Sequence, residues 1–169
     1  IRDKGKIGEE IESLGFELVE LKKFNKSFDP SICWELIKIV HYYKIDIIHT
    51  HLYHSNLYGR LAAIMTGIPV AATEHNVYRS YKFKRRVINW LLAKKTHKII
   101  AVSATVREYI TKRDWLDPLK TELIYNGIDL NVQCCTLTRE EARDRLSIPR
   151  EAFVVGTIGR LTDQKGHIF

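Results

Sequence analysis

Cysteine is scarce in this sequence, and it contains no long apolar run. Three cysteines occur among 169 residues, Cys33, Cys134 and Cys135. Their odd number and the adjacent pair do not provide a disulfide framework and favour a reducing compartment such as the cytoplasm. The longest apolar runs, such as 98–102, are far too short to span a bilayer. The chain begins without an initiator methionine or a signal peptide, so we expect a fragment whose true N-terminus is missing.

Positive charge is in excess. The formal net charge is +7, and the hydrophobic content of 45% is ordinary for a globular protein of one domain, or of one domain and part of another. The charge favours anionic partners, which include nucleotides, phosphates, nucleic acid and an acidic membrane face. Nucleic acid is the least favoured of these, because no recognised binding module is present and the one aromatic–basic cluster is short.

The stretch from Asp46 to Asn76 has the pattern strand, helix, strand. An apolar run at Ile45–Ile48 leads into His49-Thr50-His51, and a second run at Pro69–Ala72 leads into Thr73-Glu74-His75-Asn76. Between them lies a helical pattern that ends at Thr66-Gly67. Its predicted buried face consists of Leu57, Leu61, Ile64 and Met65. In open α/β sheets ligands bind at the carboxyl ends of the strands, where both polar clusters are expected.

The flanking segments continue the alternation of helix and strand. Further strands are predicted at Phe16–Leu21, Lys98–Val102, Thr121–Tyr125 and Phe153–Ile158. Helices are predicted at Gly5–Leu14, from Pro30 to about Tyr43 with Asp29 as N-cap, at Lys82–Lys95, at Ala104–Lys112 with Ser103 as N-cap, and at 138–146 with a capping box. The pair Asn126-Gly127 predicts a tight turn with positive φ at glycine. This order predicts an α/β fold with a parallel, doubly wound sheet.

The chain divides by composition into three parts. Residues 1–130 carry the five strands of the first sheet. Residues 131–150 form a predicted linker with one short charged helix. Residues 151–169 supply the first strand and loop of a second domain, and the sequence stops before a helix could cover that strand, so we expect it to be exposed, frayed or packed non-natively.

Histidines dominate the first polar cluster. His49, His51 and His54 raise the question of a metal site, but no cysteine or carboxylate lies at matching spacing, and metal ligand sets normally need three or four members. A polar cluster lining a cleft is the favoured interpretation. His75 should lie beside His51 at the same sheet edge, where it can donate to a sugar or phosphate or accept a proton. The alternative for His75 is an ordinary loop histidine.

The segment Gly159-Arg160 to Lys165-Gly166 is typical of a phosphate clamp. A glycine after a strand allows close approach of the backbone, Arg160 offers a forked donor and Lys165 a point charge. The spacing is not that of a Walker loop. The alternative is a solvated basic loop.

The basic segment 79–98 has two interpretations. Its lysines and arginines are interleaved with aromatic and aliphatic residues, so it could lie on an anionic membrane surface. A core-packed helix with a solvated basic face is the favoured one.

These motifs, in this order, resemble the GT-B glycosyltransferases of family 4. The matching segments are DIIHTHLYHSNLYGRLAA, GIPVAATEHN, KIIAVSATVREYI, LIYNGID and VVGTIGRLTDQKG. The resemblance implies two Rossmann-like domains facing a cleft, with the acceptor bound mainly by the first and the nucleotide-sugar by the second. It implies a retaining transferase of carbohydrate biosynthesis that moves a sugar from a nucleotide-diphosphate sugar to a glycan, a lipid-linked acceptor or a small molecule. No obligatory metal or other cofactor is expected.

The resemblance also implies roles for individual residues. His75 matches the histidine near the transferred sugar, and Arg160 and Lys165, with Gly159, match the group that binds the donor phosphates. Loop positions at the cleft edge correspond to His51, Ser103, Asn126 and Gly127. The expected location is cytoplasmic, with peripheral contact at the inner face of an anionic membrane and no nucleic-acid partner.

Parts of the family pattern are absent from this sequence. The first strand with its glycine-rich loop would precede Ile1, and the E-x7-E motif that contacts the donor would follow Phe169. We therefore expect the parent protein to be a transferase and the chain by itself to be inactive. Two alternatives stay open: a non-catalytic module that binds a membrane surface, and an epimerase or phosphorylase with the same fold.

Overall fold

A computed structural model of the chain describes residues 5–21, 28–77, 83–130 and 136–159. The chain forms two compact units, Ile1–Asn126 and Gly127–Phe169. The elements of the first unit are α1 (Gly5–Ser13), α2 (Pro30–Tyr42), β1 (Ile48–His51), α3 (Tyr53–Thr66), β2 (Val70–Glu74), α4 (Phe83–Lys94), β3 (Lys98–Ala101), α5 (Ala104–Lys112), a 3₁₀ turn (Pro118–Lys120) and β4 (Thr121–Leu123). In the second unit, α6 spans Arg139–Arg145.

The four strands form one parallel sheet in the order β1-β2-β3-β4. Each pair of neighbouring strands is connected by one of the helices α3, α4 and α5. The register places His51 opposite Thr73 and Thr73 opposite Ile100. The predicted Rossmann-like α/β alternation is confirmed, and its geometry brings the carboxyl ends of β1 and β2 to one edge.

Most predicted helix ends are confirmed. The Asp29 carboxylate accepts a hydrogen bond from the backbone N–H of Ser31 at the start of α2, and the Ser103 hydroxyl accepts from Val106 N–H at the start of α5. Gly67 ends α3 with φ 74°, in the left-handed region that glycine tolerates. The predicted capping box is present at Thr138 and Glu141. Local capping chemistry therefore fixes the helix boundaries.

Two hydrophobic clusters hold the first unit together. One contains buried residues of α4, β3 and α5 with Leu116, namely Ala93, Ile99, Ala101, Val106, Ile110 and Leu116. The other joins α2 and α3 through Ile32, Cys33 and Tyr58. In the part of the chain that the structure describes, no helix is long and apolar enough to cross a membrane.

Two predicted strands are wrong. Residues 16–21 pair with no strand among the described residues, and Phe16 and Val19 are 65% and 46% exposed. An alternating pattern forms a strand only when a neighbouring backbone and a buried face are available. Among the described residues no backbone pairs with this segment, and only Leu18 and Leu21 are half-buried. Phe153–Ile158 likewise forms no strand, although its predicted exposure is confirmed, since Phe153 and Val155 are 94% and 85% exposed.

The predicted buried face of α3 is correct at Leu57 and Leu61, which are half-buried, and wrong at its other two residues. Ile64 and Met65 are exposed, whereas Asn56, Gly59 and Arg60 are buried. Small residues let the helix approach the sheet closely, and the two polar side chains find buried partners described below. The first two strands begin and end later than predicted, so that His49, Thr50 and His51 lie within β1 instead of after it.

The turn predicted at Asn126-Gly127 is a further correction. Gly127 is not among the glycines with positive φ, so no left-handed conformation occurs there. Ile124 N–H still bonds to the Ala101 carbonyl at 3.0 Å beyond the end of β4, and residues 124–129 contain no assigned turn.

Candidate functional site

Two histidines meet at the carboxyl edge of the sheet. His51 is the last residue of β1 and His75 directly follows β2. His51 Nδ1 lies 2.9 Å from His75 Nε2, and the two ring centroids are 5.2 Å apart. The proximity expected from parallel strand geometry is therefore observed. Leu52 then adopts φ 68°, a left-handed conformation that bulky residues rarely take, and the chain turns at once into α3.

His49 extends this cluster along β1. Its ring lies 4.3 Å from that of His51, centroid to centroid, and its Nε2 lies 2.8 Å from the hydroxyl of Thr73. Partial loss of solvation lowers the pKa of His51, and the nearby rings of His49 and His75 lower it further. Protonation of the His51 imidazole is therefore disfavoured.

His54 lies in the first turn of α3. Partial loss of solvation lowers the pKa of its imidazole, and the Arg85 guanidinium adds to the effect. Within residues 5–21, 28–77, 83–130 and 136–159, no three histidine, cysteine or acidic side chains are grouped so that they could hold a metal ion. The cluster provides instead a row of imidazoles, which can donate to or accept from the oxygens of a bound molecule.

A buried polar network lies behind the histidines. The Asn56 side-chain amide donates to the Thr73 carbonyl (3.2 Å) and to Glu74 Oε1 (3.0 Å), and it accepts from the Thr50 hydroxyl (2.6 Å). Arg60 lies 3.6 Å from the same Glu74 oxygen and donates from Nη2 to the Asn89 side chain at 2.7 Å. Asn56, Arg60 and Glu74 are each at most 5% exposed. The network thus ties β1, β2, α3 and α4 together immediately beneath His51 and His75.

Glu74 is the charged centre of this network. Burial raises the pKa of its carboxyl group, while the Arg60 guanidinium and the Asn56 amide oppose the rise. Sequence reasoning missed the whole network, because it assigned the buried face of α3 from apolar residues alone. A usable signal was present: Asn56 and Arg60 are four residues apart on the helix face that also carries Gly59 and Ala63.

Two cavities flank the start of α3. A cavity of about 420 Å³ is lined by His49, His51 and His54 on one side and by apolar residues such as Ile32 on the other. A second cavity of about 400 Å³ is lined by Arg85 and aromatic residues. His54 and Tyr58 line both. The edge therefore combines polar imidazoles with apolar and aromatic walls, a surface suited to a sugar or to an amphiphilic molecule.

The remaining predicted site residues lie in different places. Ser103 is half-buried at the start of α5, where its hydroxyl is engaged with Val106 N–H. Asn126 and Gly127 are exposed beyond the end of β4. Gly159 is exposed, and the predicted phosphate-binding residues Arg160 and Lys165 lie outside the described residues.

The basic helix α4 is packed on the core, as the favoured interpretation of the sequence held. Its buried face contains Asn89, Leu92 and Ala93. On the opposite side, Ile88 and Leu91 are 41% and 51% exposed between basic side chains.

The sequence and the fold both resemble those of known proteins. The family model for Glycosyltransferase Family 4 matches residues 5–132. The UDP-Gal:alpha-D-GlcNAc-diphosphoundecaprenol alpha-1,3-galactosyltransferase of Escherichia coli is 32% identical over 142 residues, which cover 79% of this chain and 37% of that protein. The chain thus spans little more than a third of this relative's length.

Two solved structures share the fold. A glycosyltransferase from Rickettsia africae has a TM-score of 0.76 at 21% identity, over 97% of this chain and 45% of that one. The HepE protein of Anabaena in complex with UDP-glucose has a TM-score of 0.77 at 18% identity, over 99% of this chain and 46% of that one. The fold is that of the GT-B glycosyltransferases. Because the family model covers most of its length, the chain belongs to Glycosyltransferase Family 4.

Proposed function

We propose that the parent protein is a retaining glycosyltransferase that moves a sugar from a nucleotide-diphosphate sugar to an acceptor. The observation that carries the proposal is the His51–His75 pair at the carboxyl edge of a family 4 sheet, 2.9 Å apart and backed by a buried polar network. Ligands of open α/β sheets bind at this edge. Membership of a transferase family favours transfer over the epimerase or phosphorylase alternatives.

The donor and acceptor are proposed from the relatives. The E. coli relative is named for UDP-Gal, and the Anabaena protein was solved with UDP-glucose. A uridine-diphosphate hexose is therefore the proposed donor. The name of the E. coli relative also includes a diphosphoundecaprenol acceptor, so among glycan, lipid-linked and small acceptors we favour a lipid-linked one.

The proposed roles follow the chemistry of each side chain. His75 contacts the transferred sugar through its imidazole, and His51 lines the same edge. Arg160 and Lys165, with the Gly159 backbone, bind the donor diphosphate and stabilise the negative charge on it as it departs. These two cations make an obligatory metal unnecessary. Ser103, Asn126 and Gly127 contribute to the rim of the cleft, Ser103 through its backbone because its hydroxyl caps α5.

The departing diphosphate and the acceptor lie on the same face of the sugar in the proposed reaction. The bond from the anomeric carbon to the diphosphate oxygen breaks, and the bond to the acceptor oxygen forms on that face. The acceptor proton passes to the departing diphosphate. Configuration is retained. By itself the chain is proposed to be inactive, because it spans only 37% of the E. coli relative.

The experiment compares the parent protein with the chain 1–169 in an assay of UDP release from UDP-hexoses. We expect turnover by the parent protein alone. In the parent, H75A should lower kcat and R160A/K165A should raise KM for the donor and lower kcat, while K112A on the exposed face of α5 serves as control. Robust transfer by the chain 1–169 would contradict its proposed inactivity, and a parent protein that neither binds nor turns over any UDP-hexose would contradict the function itself.

Peripheral contact with the cytoplasmic face of an anionic membrane is a second proposal. The exposed apolar residues Ile88 and Leu91 of α4 lie among basic side chains, a mixture that suits an acidic lipid surface. Co-sedimentation with phosphatidylglycerol vesicles should be lost in K84Q/R85Q and kept in K112Q. Equal recovery with phosphatidylcholine vesicles would remove the electrostatic basis of this proposal.

A further inference from the structure

The contact between His51 and His75 requires a hydrogen between two nitrogens. His51 Nδ1 and His75 Nε2 are 2.9 Å apart, a hydrogen-bond distance. Two bare nitrogen lone pairs would repel each other at this distance, and two N–H groups would collide. A single shared proton must therefore lie between the rings, and one ring must be the acceptor.

The surroundings of His51 disfavour a positive charge on its ring. The ring of His49 on the same strand lies 4.3 Å from that of His51, centroid to centroid, and the ring of His75, which directly follows β2, lies 5.2 Å away. Partial loss of solvation and these two neighbours lower the pKa of His51. An imidazole that is not protonated keeps one bare nitrogen, which can accept the hydrogen bond. Behind β2, the Glu74 carboxylate is paired with Arg60 at 3.6 Å. From the helices, His54 and Arg85 bring only neutral or positive charge to this edge, which also disfavours protonation of His51.

We propose that His51 is a positioning residue that accepts a hydrogen bond from Nε2–H of His75 and thereby fixes the orientation and tautomer of His75. The inference deepens the proposed function and rests on it for the role of His75. With Nε2–H engaged by His51, the other ring nitrogen, Nδ1, is the one that meets a bound molecule. In the described residues no hydrogen bond to this Nδ1 is present.

Nδ1 of His75 has one of two states. In the neutral ring it is a lone pair that accepts from a sugar hydroxyl. In the protonated ring it is an N–H that donates to a sugar or phosphate oxygen. Without His51, the ring would be free to exchange its two nitrogens and to rotate. The pair of histidines therefore selects which atom of His75 faces the ligand.

The first experiment is side-chain NMR of ¹⁵N-histidine-labelled chain 1–169 near neutral pH, with variants H51A, H51N and H41A. Asparagine places an amide acceptor near the position of Nδ1, and His41 lies on the exposed last turn of α2 as control. We expect His75 Nε2 to carry the shared proton and His51 Nδ1 to carry none. Loss of the acceptor in H51A should speed exchange of that proton about tenfold, the factor that corresponds to a hydrogen bond of ordinary net strength. H51N should restore most of the protection and H41A should leave it unchanged.

Three outcomes would overturn the inference. A proton on His51 Nδ1 instead of His75 Nε2 would reverse the roles. An unchanged exchange rate of the His75 Nε2 proton in H51A would show that no hydrogen bond links the two rings. Changes in the ¹⁵N chemical shifts of both rings that are abolished by EDTA and restored by stoichiometric Zn²⁺ would mean that the two nitrogens are metal ligands instead of a proton-sharing pair.

The second experiment uses the parent protein and its UDP-hexose turnover. H51A should lower kcat with little change in KM for the donor, because His51 acts through His75, and H51N should recover most of kcat. An unchanged kcat in H51A would overturn the positioning role. If the parent protein transfers no sugar, the proposed function fails, whereas the NMR result needs no substrate and stands or falls separately.

Discussion

At the scale of single residues, the buried pair of Arg60 and Glu74 determines how the histidine edge is held. The pair is almost fully removed from solvent, and Asn56 and Asn89 supply its additional hydrogen bonds. A buried ion pair adds little net stability compared with well-packed apolar residues, but losing one partner leaves an uncompensated charge. The pair therefore acts as a constraint on the ends of β2 and α3 more than as a source of stability.

Removing Arg60 tests this constraint. R60M should lower the free energy of unfolding by about 3 kcal/mol, because it leaves the Glu74 carboxylate buried without its cation. R60M/E74Q should recover part of the loss, since the neutral amide still bonds to Asn56. Urea denaturation monitored by circular dichroism measures both. The control is K112M, which breaks the exposed Lys112–Glu108 pair and should cause no measurable change in the free energy of unfolding. A urea midpoint of R60M equal to that of K112M would contradict the prediction.

The histidine pair was predictable from sequence, whereas the partners of Asn56 and Arg60 in the buried network were not. His51 and His75 each end an apolar run, and parallel strands bring such ends to one edge whatever the details of packing. Asn56 and Arg60 find their partners on β2 and α4 at Thr73, Glu74 and Asn89, which lie 14 to 29 residues away in sequence. Pairing over such distances depends on the rotation of α3 about its axis, which the apolar pattern alone assigned to the wrong face.

At the scale of elements, the packing of α3 on β1 depends on one glycine. A Cβ added to Gly59 would lie 2.3 Å from Thr50 Cγ2. Thr50 cannot simply rotate away, because its hydroxyl is bonded to Asn56 within the buried network. The same strand presents His49 and His51, so the fit between Gly59 and Thr50 sets how close the helix comes to the histidine edge.

Substitution of Gly59 tests this packing. G59A should destabilise the fold by about 1–3 kcal/mol through overpacking, reduced by the better helix propensity of alanine. T50S removes Cγ2 but keeps the hydroxyl, so G59A/T50S should regain most of the stability. Thermal unfolding by calorimetry provides the measurement.

The matched control is G127A, where an added Cβ meets nothing within 4 Å and φ is not positive. It should leave the melting temperature unchanged. A G59A protein as stable as G127A would show that the helix and strand can separate without cost.

Strand prediction failed at two segments for a physical reason that helix prediction avoids. Helix ends at Asp29, Ser103 and Thr138 are set by hydrogen bonds within four residues, which the sequence displays directly. Residues 16–21 and 153–158 have strand-like composition, but a strand also needs a partner that is distant in sequence. Composition therefore identified which segments could pair, and only the structure shows which of them do.

At the scale of the whole molecule, pH couples the histidine edge to stability. The pKa values of His51 and His54 in the folded chain lie below 6.5, the ordinary value for histidine. In the window below pH 6.5 the unfolded chain therefore binds more protons than the folded one, and stability falls as the pH is lowered. The raised pKa of Glu74 acts in the opposite sense, since its carboxyl disfavours the fold as the pH rises above 4.5.

Thermal melts between pH 7.5 and 5.5 test the histidine contribution. The melting temperature of the unsubstituted chain should fall across this range, and H51N/H54N should fall less steeply because both titrating rings are gone. H41N serves as control on the exposed end of α2. An equal slope in H51N/H54N and in the unsubstituted chain would mean that neither ring is coupled to folding.

The exposed segment at 153–158 has a consequence for the solution behaviour of the chain. It reads Phe-Val-Val-Gly-Thr-Ile, without charge or proline, and Ile158 is fully exposed together with Phe153 and Val155. Segments of this composition pair edge to edge with copies of themselves and stack into fibrillar β-structure. A net charge of +7 keeps separate chains apart only while it is unscreened. We therefore expect aggregation of the chain at high protein and salt concentration to be governed by residues 153–158, which belong to neither the core nor the histidine edge.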